Sequence, residues 1–369
     1  MIETHALNAL LYTPLRHIPA FHVLNFINGL VAPSFLFCAG FAYAIAGARK
    51  WDEYAAFGPG ARAYTRRLLF ILIVAYSLHL PYFSPYNLFS ITDRETWISF
   101  FQIDVLQTIS ISLLLLLGGT ILIKDQRRHR LAFLLISIAI LVTTPLVNQP
   151  RYSWLPDVFG GLVSHAYQTP FPLFPWAVFL FGGYLVGAWF VANKELASRV
   201  RIQRIAIAGA ALVAIAITVA FLPLQIYPGL PFWGDSPQFV LLRIGIVMLL
   251  LSFFYLFEPE SVPNSGGKKI PFGLPLLFGR ESLLVYTTHL LIVYGHDYPW
   301  SLVRAYGPNL SYSAAFGIFG IVTVGMYIAA LGWHGLKQLN LPLAKKVQYA
   351  LAAIILIRFV LGYTPGFTF

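Results

Sequence analysis

Residues 101–130, FQIDVLQTISISLLLLLGGTILIKDQRRHR, decide how this chain is read. From Ile103 to Ile123 only Asp104 carries a charge, and an apolar helix of about 20 residues is what a bilayer crossing requires. Lys124, Arg127, Arg128 and Arg130 then crowd the link to the next apolar run. An apolar span ending in a basic link marks a membrane helix that reaches the cytoplasmic face.

Working outward, comparable apolar windows recur at 24–47, 67–86, 131–148, 172–192, 204–224, 237–257, 274–295, 313–333 and 346–363. The links between them alternate. Those containing ARKWDEY and ARAYTRR, KDQRRHR, NKELASRVRIQR, NSGGKKI and HGLKQLNLPLAKK are basic. Those containing SPYNLFSITDRETWIS, QPRYSWLPDVFGGLVSHAYQTPFP, QIYPGLPFWGDSPQ and GHDYPWSLVRAYGPNLS are rich in Pro, Trp and Tyr with few cations. The first set faces the cytoplasm and the second the outside. Composition agrees: of 369 residues 58% are hydrophobic and 11% charged, with a mean hydropathy of +0.72, too apolar for a soluble domain. The net charge of +11 therefore reads as membrane orientation and not as a nucleic-acid surface.

The expected fold is all-α, a polytopic transmembrane helical bundle of about ten full spans plus a truncated first helix, in one transmembrane domain over 1–369. Under this topology MIETHALNALLY is the outer end of a helix rising from the cytoplasm, which predicts either a missing N-terminal piece, the preferred reading, or a first helix that spans only half the membrane. No cleavable signal peptide follows Met1, because no basic region and apolar core stand there. A single cysteine, Cys38, rules out an intrachain disulfide.

Ionisable residues inside spans are costly, so each is a site hypothesis with a partner to be named. His5, His22, His79, Asn25, Arg243, His289 and Arg358 all fall in outer halves of spans or at their mouths. Asp104 and Gln107 lie one helical turn apart on one face. For Arg358 and His296 the plain reading is a side chain reaching the interface. For Asp104 the plain reading is an ion pair with Arg243 or Arg358. His5, His22 and His289 read instead as a histidine-rich outer cavity. No His/Glu spacing suggests a metal site, since Glu3 and His5 point apart on a helix.

Five stretches together carry a resemblance: NGLVAPSFLFCAGFAYAI (28–45), RRLLFILI (66–73), FQIDVLQTISISLLL (101–115), FPLFPWAVFLFGGYLVG (171–187) and LFGRESLLVYTTHLL (277–291). In order and spacing they resemble the heparan-alpha-glucosaminide N-acetyltransferase family and its bacterial relatives among transmembrane acyltransferases. The resemblance implies transfer of an acyl group from cytoplasmic acetyl-CoA (acyl-CoA), without a metal, to an extracytoplasmic acceptor such as an amino sugar or glycan. It also implies a catalytic histidine between the first two helices, where His17 and His22 stand and His22 matches better. His5 occupies a position where the family usually has Asn, and Asn28 one where Asp is common.

On this reading His22, with His289 or His5, is the general base, because an imidazole titrating near neutrality suits proton transfer at a thioester. Asp104 orients an imidazole. Asn25, Asn28, Gln107 and Arg243 form the acceptor-binding set, with Arg243 or Asn25 stabilising the oxyanion. Arg66, Arg67, Arg127, Arg128 and Arg130 suit the phosphates of CoA, although basic links orient any membrane protein. Expected partners are membrane lipids and the acceptor, with no nucleic acid and a homodimer as the candidate assembly, in the plasma (inner) membrane. Two rivals share these residues: a small-solute or proton-coupled transporter, and an O-acyltransferase acting on a glycan or lipid-linked sugar.

Overall fold

The computed structural model describes all residues except 81–83, 149–155, 223–226, 228–231, 235, 257–273, 296–300 and 362–369. Among the described residues the chain is helical with no strand, and one isolated parallel bridge pairs Leu11 with Leu310. The helices are α1 (Ile2–Leu10), α2 (Pro19–Asn28), α3 (Val31–Ala55), α4 (Pro59–Ser77), α5 (Pro85–Phe89), α6 (Arg94–Phe100), α7 (Val105–Ile123), α8 (Gln126–Val147) and α9 (Asp157–Val163). They continue as α10 (Leu173–Ala192), α11 (Ser198–Phe221), α12 (Pro237–Tyr255), α13 (Leu274–Arg280), α14 (Ser282–Tyr294), α15 (Leu302–Tyr306), α16 (Tyr312–Leu339) and α17 (Leu341–Leu361). Short 3-10 turns occupy Thr13–His17 and His165–Tyr167.

Seven helical stretches among the described residues are long and apolar enough to cross a membrane: Pro19–Ala55, α7, α8, α10, α11, α12 and α16. Three further expected spans differ. The 67–86 window belongs to α4, which begins at Pro59 and carries Arg62, Arg66 and Arg67. The 274–295 window is interrupted at Glu281, which divides it into α13 and the 13-residue α14. The 346–363 window falls in α17, with Lys345, Lys346 and Arg358 along it. Hydropathy located these helices, but a charge at a helix end or within a break shortens the uncharged run.

Two compact units account for the chain. The first comprises Met1–Asn28, Leu80–Asp93 and Val262–Phe369, and the second Gly29–His79 and Arg94–Ser261.

In the second unit α3 and α10 touch backbone to backbone. A Cβ on Gly40 would collide with the carbonyl oxygen of Leu180, and one on Gly183 with that of Phe37. Lipid tails are as apolar as leucine, so such helices associate through close packing, and small residues permit it. The α11–α12 pair repeats the device: a Cβ on Gly245 would stand 2.7 Å from Gly209 O. At the start of α7 Asp104 is the N-cap. Its Oδ1 accepts from Val105 N at 2.7 Å, and Gln107 Oε1 accepts from Asp104 N at 3.2 Å, a reciprocal capping box. Near this end Arg94 donates to both carboxylate oxygens of Asp157 at 2.9 and 2.7 Å, tying α6 to α9. Those hydrogen bonds hold the Asp157 carboxyl below its ordinary range.

In the first unit α1 is buried against α14 and α16. Ile2 packs with Val285, Val322 and Met326, while Ala9 and Leu10 pack with Val293. Past its end the backbone is pinned: Tyr12 N donates to Leu310 O and Leu310 N to Leu10 O, each at 2.9 Å. Position 5 on α1 is thereby fixed against the inner face of α14.

Gly183→Leu should cost at least the ~3 kcal/mol at the upper end of overpacking effects, since the obstacle is a carbonyl and not a flexible side chain. Thermal melting of the detergent-solubilised protein checks this. Gly47→Leu on the same α3 meets nothing within 4 Å of its Cβ and should melt close to the parent.

Candidate functional site

His289 lies on the face of α14 that also carries Val285 and Val293, and it is fully buried. Its Nδ1–H donates to Val285 O, one turn back, at 2.6 Å. The carbonyl can only accept, so Nδ1 carries the proton and Nε2 of the neutral ring holds a lone pair. That Nε2 is buried and meets no hydrogen-bond partner. The imidazole of His5, from α1, lies against it with ring centroids 5.3 Å apart. Tyr286 meets the His289 ring edge-on at 5.8 Å. Tyr294, the last residue of α14, packs edge-on against His5 at 5.6 Å, and its hydroxyl stands 3.4 Å from both His5 Nδ1 and His5 O.

The other expected residues of this unit sit elsewhere on it. His22 and Asn25 are exposed on α2 and show no side-chain hydrogen bond among the described residues, and His17 is exposed in the 3-10 turn. Asn28 closes α2 and donates to Glu3 Oε1 at 3.2 Å, so Glu3 and His5 serve different neighbours. The structure therefore brings His5 and His289 into ring contact and leaves His22 outside that contact. His296 lies outside the described residues.

At the opposite end of α14 stands a cluster that the sequence did not reveal. Glu281 is buried and accepts from Lys337 Nζ at 2.6 Å and from His334 Nδ1 at 2.9 Å, both on α16. Gln338 Nε2 donates to His334 Nε2 at 2.9 Å, which matches a neutral ring protonated at Nδ1. Glu281 precedes α14, so this pairing anchors the helix that carries His289.

The second unit holds Asp104, Gln107, Arg243 and the basic candidates. Asp104 and Gln107 meet each other through the capping box, and Gln107 is fully buried with its Nε2 unpartnered. Arg243 lies over the Phe239 ring at 3.9 Å and is 5.9 Å from that of Trp176. Trp176 Nε1 donates to His165 Nε2 at 3.3 Å, while His165 Nδ1 donates to Thr169 O at 2.7 Å. Neither His165 nor Trp176 was singled out in the sequence.

A second missed group is His129, fully buried at the first turn of α8 within the basic link KDQRRHR. Its Nε2–H donates to Leu116 O at 3.1 Å, and Tyr184 O–H donates to Nδ1 at 2.6 Å. Thr120 also donates to Leu116 O at 3.0 Å and accepts from Tyr43 O–H at 2.9 Å. Four helices, α3, α7, α8 and α10, are joined by this one chain of bonds. Tyr64 of α4 joins its edge, with its ring 6.0 Å from that of Tyr43. Arg66 and Arg67 follow Tyr64 and Arg127 and Arg128 precede His129, so four exposed guanidiniums stand at one end of this unit.

A sequence model of the family described as heparan-alpha-glucosaminide N-acetyltransferase, catalytic, matches residues 1–227. His5, His22, Asp104, Gln107, His129 and the four arginines fall within the match, and His289, Tyr294 and Glu281 beyond it. No curated protein and no solved structure matches the chain.

Two buried pairings generate stability predictions. Tyr184→Phe strands the His129 Nδ1 lone pair and should cost about 1–3 kcal/mol. Glu281→Ala leaves Lys337 and His334 without their carboxylate and should cost about 3–5 kcal/mol, whereas Glu281→Gln combined with Lys337→Met should recover much of it. Thermal melting in detergent reads both, and an unchanged midpoint in Tyr184→Phe would exclude the hydrogen bond from the fold's energetics.

Proposed function

This chain belongs to the heparan-alpha-glucosaminide N-acetyltransferase family, and from that premise we propose that it moves an acetyl group from acetyl-CoA at the cytoplasmic face of the plasma (inner) membrane to an amino sugar or glycan outside. The seven apolar helical stretches among the described residues, together with the family, make it a membrane acetyltransferase. The observation that carries the chemical reading is the lone pair on His289 Nε2, buried without a partner and faced by His5.

Acyl transfer to nitrogen or oxygen needs a nucleophile stripped of a proton, and a neutral imidazole with one free nitrogen is suited to take it. His289 is held for that task. Its Nδ1–H is committed to Val285 O at 2.6 Å, which fixes both ring orientation and tautomer and stabilises the imidazolium once Nε2 is protonated. A buried acceptor with no donor costs about 1–3 kcal/mol in the resting protein, and an incoming N–H or O–H removes that cost. Acetyl-CoA supplies the activated thioester. Arg66, Arg67, Arg127 and Arg128 are the side chains suited to its phosphates, being exposed guanidiniums gathered at one end of the second unit. His22, Asn25 and Asn28 on α2 are assigned to acceptor contact. Gln107, with a buried amide donor to spare, and Arg243, over its aromatic rings, are further acceptor-binding candidates. Asp104 is assigned to positioning, since its Oδ1 is taken by the amide of Val105.

Purified protein incubated with radiolabelled acetyl-CoA and a panel of amino sugars and glycans tests the reading. His289→Gln should lower turnover by about 10²–10⁴-fold with acetyl-CoA binding retained. Undiminished turnover in that variant would remove His289 from the chemistry. A comparable loss in His22→Ala with normal turnover in His289→Gln would move the base to α2. A wild-type protein that leaves the thioester intact with every acceptor would favour solute transport.

A further inference from the structure

We infer that His5 and Tyr294 form the proton exit for His289, a relay that rests on the reading of His289 as the base. The argument begins with burial. His289 is fully enclosed, while His5 and Tyr294, the last residue of α14, are half-buried. A base with no solvent contact cannot discharge a proton to bulk water unaided. The ring that faces it is His5, in direct contact at 5.3 Å between centroids, so the two imidazoles are the nearest titratable pair at this point of α1 and α14. His5 Nδ1 in turn stands 3.4 Å from the Tyr294 hydroxyl. The same hydroxyl stands 3.4 Å from His5 O and can donate to it while accepting from Nδ1–H. His5 can take a proton at one ring nitrogen and release one from Nδ1 to the Tyr294 oxygen, and the half-buried tyrosine then releases its own proton by turning its O–H from His5 O to water.

The balance of the reaction gives the relay its work. An amine acceptor arrives at neutral pH as an ammonium ion. It first gives one proton to His289 Nε2, and that proton passes by His5 and Tyr294 to solvent. The freed nitrogen then bonds to the thioester carbon as the carbon–sulfur bond breaks, and the second N–H proton ends on the departing sulfur as the CoA thiol. One proton leaves per turnover. A hydroxyl acceptor has a single proton, which ends on sulfur, and needs no exit, so the relay belongs to transfer to nitrogen.

The test uses the full-length protein, radiolabelled acetyl-CoA and glucosamine as the probe amine, in weak buffer. Tyr294→Phe and His5→Gln should each lower turnover by about 10- to 100-fold, consistent with loss of one proton-transfer partner. Added imidazole, a diffusible proton carrier, should restore most of the rate in both, with KM for acetyl-CoA unchanged. Wild-type turnover in Tyr294→Phe, or a loss that imidazole fails to restore in a variant of normal melting temperature, overturns the relay. If neither variant folds, the wild type is measured across mixtures of H2O and D2O. A curved dependence showing several protons in flight supports the relay, and a linear or absent one overturns it. A wild type inactive towards every amine overturns the acetyltransferase reading, and the relay falls with it. A wild type active towards hydroxyls alone overturns the relay and leaves that reading standing.

Discussion

The second unit depends on two helices that touch without side chains between them. Gly40 and Gly183 bring α3 and α10 to backbone contact, and the residues that follow are placed by it. Tyr43 stands three positions after Gly40 and Tyr184 one after Gly183, so both hydroxyls are delivered to the same small volume, with ring centroids 6.0 Å apart. There they meet Thr120 and His129, and the hydrogen bonds close. In a bilayer, where lipid competes equally for apolar surface, tight backbone approach and satisfied buried polar groups specify helix pairing together. Packing thus determines which polar groups can meet, and their pairing makes the arrangement unique.

Two fully buried histidines illustrate how environment separates structure from chemistry. His129 has both ring nitrogens engaged, one as donor and one as acceptor, and it ties helices together. His289 has one nitrogen engaged and the other free. Desolvation applies equally to both, so the difference lies in what the neighbouring helices supply. Around His129 they supply a phenol and a carbonyl. Around His289 they supply apolar side chains and a second imidazole.

Much of the helical framework was legible because hydropathy is a local property. The runs at 102–123, 131–148, 172–192, 204–224, 237–257 and 313–333 became α7, α8, α10, α11, α12 and α16 with small shifts at their ends. The spacing of Asp104 and Gln107 was also visible, although the D-x-x-Q pattern at a helix start signals a capping box more directly than a site. The contacts of His5 were not legible, because its partner Tyr294 lies 289 positions away. Glu281 in GRESL was not legible as a cluster, because its partners His334 and Lys337 lie 53 and 56 positions away on α16. His129 was hidden among arginines whose charge explained the link by itself. A histidine at the first turn of an apolar helix, four positions before Phe133, could have been assigned to the helix's inner face from period alone.

The interruption at Glu281 carries a consequence for the surrounding lipid. At 1.5 Å per residue the 13 residues of α14 measure about 20 Å, against a hydrocarbon thickness of about 30 Å. Leu291 and Ile292 face outward from this short helix, and a buried carboxylate with its lysine closes the other end. A helix this short, where it crosses a bilayer, is accommodated by local thinning or by water reaching its polar end, at fractions of a kcal/mol per Å. Shorter acyl chains match a helix of this length with less distortion, and this is the helix that presents His289 to His5.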